Sequence, residues 1–411
     1  MVPTKEQLTK YAKLAVEKGV NIQKGQALFI NAPIEAREFV HYVVDVAYDA
    51  GAEGVTVNWS DEVLIRKGYE REPLHILEDV PEWFVEKQLS HVKKGGALLT
   101  IYAPNPDLLE GIDAERVAKA TKAKSQALSE YKTYIMNDRV QWSIVSVPTD
   151  KWAKKIFPDK GLDEAVTSLW EQIFSIVRVD QENPIQAWKD HNETLYKIRD
   201  YLNDKQYHSL EYQSEGTNMT VELPENHVWA GGGAVAENGA EFNPNMPTEE
   251  VYTAPHREGI NGTVTNTKPL NYNGNLIDGF TLTFENGKVV DYKAETGEET
   301  LKHLLDTDEG ATRIGEIALV PHSSPISQSE LIFYNTLYDE NASCHLALGE
   351  AYPTNVRDGE KMSQEELKEK GINTSLVHED FMIGSADLTV YGVTKDGKKE
   401  PIIENGDWAI V

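Results

Sequence analysis

The chain has 411 residues, of which 40% are hydrophobic and 26% charged, with 8 Trp and 18 Tyr. That length exceeds one compact core and predicts two domains, while so many aromatic residues exclude a disordered chain. With 67 acidic against 40 basic residues, a net charge of -27, the surface repels phosphate backbones and anionic lipid. No nucleic acid and no membrane is therefore expected as a partner.

The N-terminal stretch MVPTKEQLTKYAKLAVEKGV breaks its apolar residues with Lys and Glu every few positions, unlike the apolar core of a secretory signal. No apolar run reaches the roughly 18 residues of a membrane span. The single cysteine, Cys344, has no partner for an internal disulfide. These features read as a cytoplasmic protein, in which Asn-x-Thr at 218–220 carries no glycosylation meaning.

QALFINAP (26–33) is a continuous apolar run ending in Pro, the pattern of a buried strand. Phe39, Val43, Val46 and Ala47 then recur at helical spacing, with Gly51 as the stop. GVTVNW (54–59), ALLTIYAP (97–104) and WSIVSVP (142–148) follow, each separated from the next by helix-length stretches. This alternation predicts an α/β N-terminal domain, a parallel sheet flanked by helices. Helical stretches at about 161–178 and 183–202 close it.

Beyond residue 205 the pattern changes. TVEL, TLTF, VVDY and LTVYGV are short alternating runs separated by ENG, DG and NG turns, which are hairpin signals. DYLNDKQYHS is polar, so the boundary is placed there, giving domains at 1–204 and 205–411. The second is expected to be a mixed, mainly β (α+β) catalytic domain.

Nucleotide motifs fail on context. Gly231, Gly232, Gly233 and Ala236 fit a loose dinucleotide pattern, but no helix follows to supply amide donors. A flexible loop is the better reading. Gly392, Gly397 and Lys398 resemble a phosphate loop, yet Lys399 stands where a hydroxyl should be, and KDGKK reads as a hairpin turn. No GxSxG elbow occurs. Cys344 beside His345 is read as a small buried hydrophobe, because chain neighbours point in different directions.

Four segments embed carboxylates and histidines among apolar residues. PNMPTEEVYTAP (244–255) carries Glu249 and Glu250, and RIGEIALVPHSSP (313–325) carries Glu316. YDENASCHLALG (338–349) carries Glu340 and His345, and LVHEDFMIG (376–384) carries His378 and Asp380. Burying a carboxylate is costly unless its charge is compensated, and a divalent cation is the strongest compensation. In an extended segment His378 and Asp380 share one face and Glu379 takes the other. Glu316 opens its strand, a place from which a carboxylate can bridge two ions. Imidazole with carboxylate suits Zn, Co or Mn. Spacing alone does not choose between Glu249 and Glu250. It also leaves open a binuclear phosphoesterase, with Arg257 and Arg313 the only nearby arginines, or a binding protein whose carboxylates are structural ion pairs.

These segments, in this order, resemble the aminopeptidase T/aminopeptidase S (PepS) family of bacterial metalloaminopeptidases. The similarity extends to VNIQKGQ (20–26), EGTNMTVEL (215–223) and the length, and NMPTEEVYTAP and DENASCHLALG carry its specificity. The resemblance implies a peptide hydrolase with two divalent metal ions per subunit, acting on peptides with a free N-terminus. It implies metal ligands at Glu250, Glu316, Glu340, His345, His378 and Asp380. Glu316 would bridge, with Asp380 a second candidate for that role, and Tyr352 would lie beside the metals. Four carboxylates then balance two divalent ions. A carboxylate beside the ligands but not bound to metal would carry the proton, with Glu249 as the candidate, and a homodimer with an enclosed cavity is implied.

Overall fold

The apolar runs of the first half form the four strands that their composition calls for. β1 (Ala27–Pro33), β2 (Gly54–Ser60), β3 (Ala97–Tyr102) and β4 (Trp142–Ser146) make one parallel sheet in the order β2-β1-β3-β4. The computed structural model describes residues 3–272 and 275–410, so the Asn273-Gly274 turn signal lies outside the described residues. Helices connect the strands. α1 (Lys5–Lys13) starts at a Thr4/Gln7 capping box, two orphan amides being satisfied reciprocally. α2 (Arg37–Asp49) buries Phe39, Val40, Val43, Val46 and Ala47, the stripe that its periodicity predicts. α3 (Glu62–Arg71) is capped by Asp61, and α4 (Glu82–Lys93) precedes β3. Further on, α5 (Leu162–Ile176) buries Ala165, Leu169 and Ile173, and α6 (Pro184–Lys205) follows. Tyr11 on α1 donates to the Ser146 carbonyl at 2.8 Å and accepts from the Ser146 amide at 3.1 Å, which pins α1 to β4.

The second half is built from antiparallel ladders. One sheet of eight strands includes β5 (Ser209–Ser214), β6 (Thr217–Glu222) and six further strands from 260–293 and 389–408. A sheet of five strands contains β7 (Ala230–Gly231), β8 (Val251–Thr253), β9 (Ile314–Leu319), β10 (His345–Gly349) and β11 (His378–Met382), ordered β11-β10-β9-β8-β7. Leu210, Val221, Phe280, Leu282, Ile317, Leu346 and Phe381 belong to one apolar core in this half. The expected fold class, α/β and then mainly β, is the one observed. Among the described residues no helix is long and apolar enough to cross a membrane.

The division into compact units is less simple than one boundary at 204/205. One unit comprises 1–190 and 233–247, the other 191–232 and 248–411. The polar stretch DYLNDKQYHS, where the boundary is expected, ends a 22-residue helix, and its Leu202 and Tyr207 are buried. Segment 233–247 belongs to the first unit through hydrogen bonds from Asn243 to the Gly19 carbonyl (2.8 Å) and from Met246 to the Ile144 carbonyl (3.0 Å). Gly231, expected in a flexible loop, instead forms the edge strand β7. A Cβ there would meet the Glu250 carbonyl at 2.6 Å, and φ is +155°, so glycine is required for close backbone approach.

Candidate metal centre

The five-stranded sheet gathers the charged residues on one face by register. Glu316 on β9 lies opposite Ala347 on β10, and Ala347 lies opposite Asp380 on β11. One row away Ala318 faces His345, and Tyr252 on β8 faces Ala318. A third row sets Gly349 against His378. Directly paired residues share a face, and so do residues two apart on a strand. Glu316, His345, His378 and Asp380 therefore project from one surface, with Ala318, Ala347 and Gly349 between them. Those small side chains leave room above the sheet. Glu250, two residues before Tyr252, joins the same face, whereas Glu379 pairs with Leu348 on the other.

Two tight groups result, Glu250 with Glu316 and His345, and Glu316 with His378 and Asp380. His345 Nε2 lies 3.2 Å from Glu250 Oε2 and 3.6 Å from Glu316 Oε1. His378 Nε2 lies 3.9 Å from Glu316 Oε2 and 3.6 Å from Asp380 Oδ1. Glu316 thus presents one oxygen to each histidine. Donors held about 2.0–2.2 Å from a shared ion sit at such spacings from one another.

The tautomers test whether a cation belongs there. Nδ1 of His345 lies 3.1 Å from the Ser343 carbonyl, and Nδ1 of His378 lies 2.7 Å from the Glu350 carbonyl. A carbonyl only accepts, so each Nδ1 carries a hydrogen, and in a neutral ring Nε2 is a lone pair aimed at carboxylate oxygen. Glu250 Oε2 and Asp380 Oδ1 are buried without a hydrogen-bond partner. Acceptors facing acceptors in a buried site need a cation between them. The donor set fits a divalent metal.

Electrostatics agree. Burial pushes the Glu316 carboxyl upward, partly offset by His345 and His378, while Glu250 and Asp380 push it further. Glu340 is held well above the ordinary carboxylate range by burial and by the charges of Asp380 and Glu250. For His345 burial opposes charge, yet Glu250 and Glu316 outweigh it and hold the imidazole well above its usual value. Desolvation likewise opposes charge on His378, and Asp380 and Glu316 overcome it. The group retains protons where positive charge is wanted.

Glu340, in the turn after Thr336–Asp339, is outside the two tight groups but within their field, and Asn341 donates to its Oε1 at 3.3 Å. Tyr352 has its ring 5.3 Å from that of His378. Its phenol is held well above the usual range, by burial first and then by Glu316. Glu249, the candidate proton carrier, turns toward His191, 3.5 Å away. Cys344 is buried, its thiol donates to the Val320 carbonyl at 3.3 Å, and burial pushes it up to about 11. Arg257 and Arg313 are tied to Glu309 at 2.9 and 2.7 Å. Tyr252 was not singled out from sequence. Counting by two from Glu250 through EVY would have placed it on the same face.

Residues 4–408 match the family described as thermophilic metalloprotease (M29). Aminopeptidase 2 of Geobacillus stearothermophilus is 57% identical over 404 residues, covering 98% of both chains. Aminopeptidase AmpS of Bacillus subtilis (strain 168) is 51% identical with the same coverage. The structure of wild-type AmpT from Thermus thermophilus superposes with a TM-score of 0.94 at 41% identity, covering 99% of this chain and 100% of the other. With a family match across nearly its whole length, the chain belongs to the M29 metalloproteases and is a metalloaminopeptidase, a hydrolase of peptide bonds.

Proposed function

We propose that the chain removes the N-terminal residue of peptides using two divalent ions held by Glu250, Glu316, Glu340, His345, His378 and Asp380. The observation that carries this reading is the split of Glu316, with one oxygen toward each histidine-containing group. When bound, a pair of such ions supplies a nucleophilic water at neutral pH and polarises the scissile carbonyl. The backbone carbonyls of Ser343 and Glu350 orient the two imidazoles so that Nε2 faces inward. Tyr352, neutral at working pH, has a hydroxyl with no protein acceptor among the described residues and donates to oxygen that gains charge during attack. The donor set suits Zn, Co or Mn.

The same reading makes the protein cytoplasmic and homodimeric. A lone cysteine kept as a buried thiol suits a reducing compartment. The dimer rests on the family resemblance, and sedimentation at micromolar concentration checks it. Chelation should abolish hydrolysis of an aminoacyl anilide, and added Co, Zn or Mn should restore it. Full activity in verified metal-free protein would sink the proposal. A phosphomonoester should not be turned over, since both nearby arginines are committed to Glu309.

A further inference from the structure

We propose that Tyr252 is a positioning residue that holds the phenol of Tyr352 against the carboxylate–histidine group. The proposal rests on the role given to Tyr352 above. Tyr352 lies off the sheet, between β10 and a short turn at Pro353–Asn355, with φ -72° and ψ 124°. Pro353 restricts its backbone to that extended region. Among the described residues nothing polar hydrogen-bonds its hydroxyl, so the direction of the side chain is set by the rings around it. His378 packs on it at 5.3 Å and 63°, and Tyr252 at 5.9 Å and 56°.

Both spacings fall within the roughly 4.5–7 Å range of favourable aromatic pairs, edge-on for His378 and tilted for Tyr252. The two neighbours differ in how they are held. His378 would be committed to a metal ion, whereas Tyr252 is borne by β8, paired to Ala318 on β9 and to Ala230 on β7. A strand paired on both sides holds a side chain more accurately than a loop does. Tyr252 also stands on the donor face, in the row of Ala318 and His345. A loop-borne donor is therefore buttressed by a strand-borne ring. A donor aimed at charge that appears only during reaction loses most of its effect when it can swing away.

The test compares Tyr252→Phe, Tyr252→Leu, Tyr352→Phe and the Tyr252→Leu/Tyr352→Phe double variant. Turnover and KM for an aminoacyl anilide, bound metal and melting temperature are measured for each. Tyr352→Phe should lower kcat by about 10²-fold, the scale of one oxyanion donor. Tyr252→Leu should lower kcat roughly 10-fold with KM and metal content unchanged, and Tyr252→Phe, which keeps the ring, should restore most of it. In the Tyr352→Phe background, Tyr252→Leu should cost nothing more, because there is no hydroxyl left to aim. Losses that multiply in the double variant, or a fully active Tyr252→Leu, overturn the positioning role while leaving Tyr352 in place. Full activity in Tyr352→Phe removes Tyr352 from the reaction and Tyr252 with it. If the Leu variant does not fold, Tyr252→Met takes its place in the same comparison.

Discussion

Two backbone carbonyls determine what His345 and His378 can do. By engaging Nδ1, the Ser343 and Glu350 carbonyls turn both Nε2 atoms toward carboxylates, and the resulting clash of acceptors is relieved by a proton or a metal ion. Protons and metal therefore compete. Glu316 and Glu340 are both raised by burial, so on acidification they accept protons while the pH is still above the ordinary carboxylate value of about 4. Raised ligand pKa values mean that protons displace metal at a higher pH than ordinary carboxylates would allow. Titrating the loaded enzyme downward, with bound metal and activity followed together, should show both lost in parallel above about pH 4 and regained on return to neutrality. Retention of metal down to that pH would argue that other residues hold it. At this scale the sequence was informative about residue types and silent about direction. The HED triplet sets His378 and Asp380 on one face and Glu379 on the other, but nothing in it names Glu350 as the partner of His378.

The sheet face works because its rows alternate donors with small side chains. Ala347, fully buried, separates Glu316 from Asp380. A larger residue there would occupy the space into which both carboxylates project. Ala347→Leu should cost about 1–3 kcal/mol in stability through overpacking and abolish metal binding. Thermal unfolding with a metal assay checks both. A variant that still binds stoichiometric metal would show that the space above Ala347 is not needed. The strand that Glu316 opens was legible as an apolar run, whereas the one carrying His345 was not read as a strand. The order of the strands was not legible, because β7 to β11 come from segments spread between 230 and 382 and pair by hydrogen bonds that no local pattern encodes. The glycines at 231–233 illustrate the limit. Locally they read as a loop, and only the approach of the Glu250 carbonyl explains Gly231.

Across the whole molecule, the chain returns to its first unit after leaving it, since 233–247 packs with 1–190. A fragment cut at the apparent boundary after residue 204 therefore lacks part of its own unit, including the amides that bond to Gly19 and Ile144. Such a fragment should melt at a lower temperature than one carrying 233–247 through a short Gly/Ser linker. Equal melting temperatures would mean that the returning segment contributes nothing.

The sequence by itself determined composition, charge, the change from strand–helix alternation to hairpins, and the sharing of a face by His378 and Asp380. These are properties of neighbours along the chain, and side-chain alternation is a local rule. The tertiary structure alone turned Glu250 toward His345 and Glu249 toward His191, gave Glu316 an oxygen for each histidine, and placed Tyr252 beside Tyr352. Each of those depends on strand register, which is set by pairing between distant segments and by what the sheet buries.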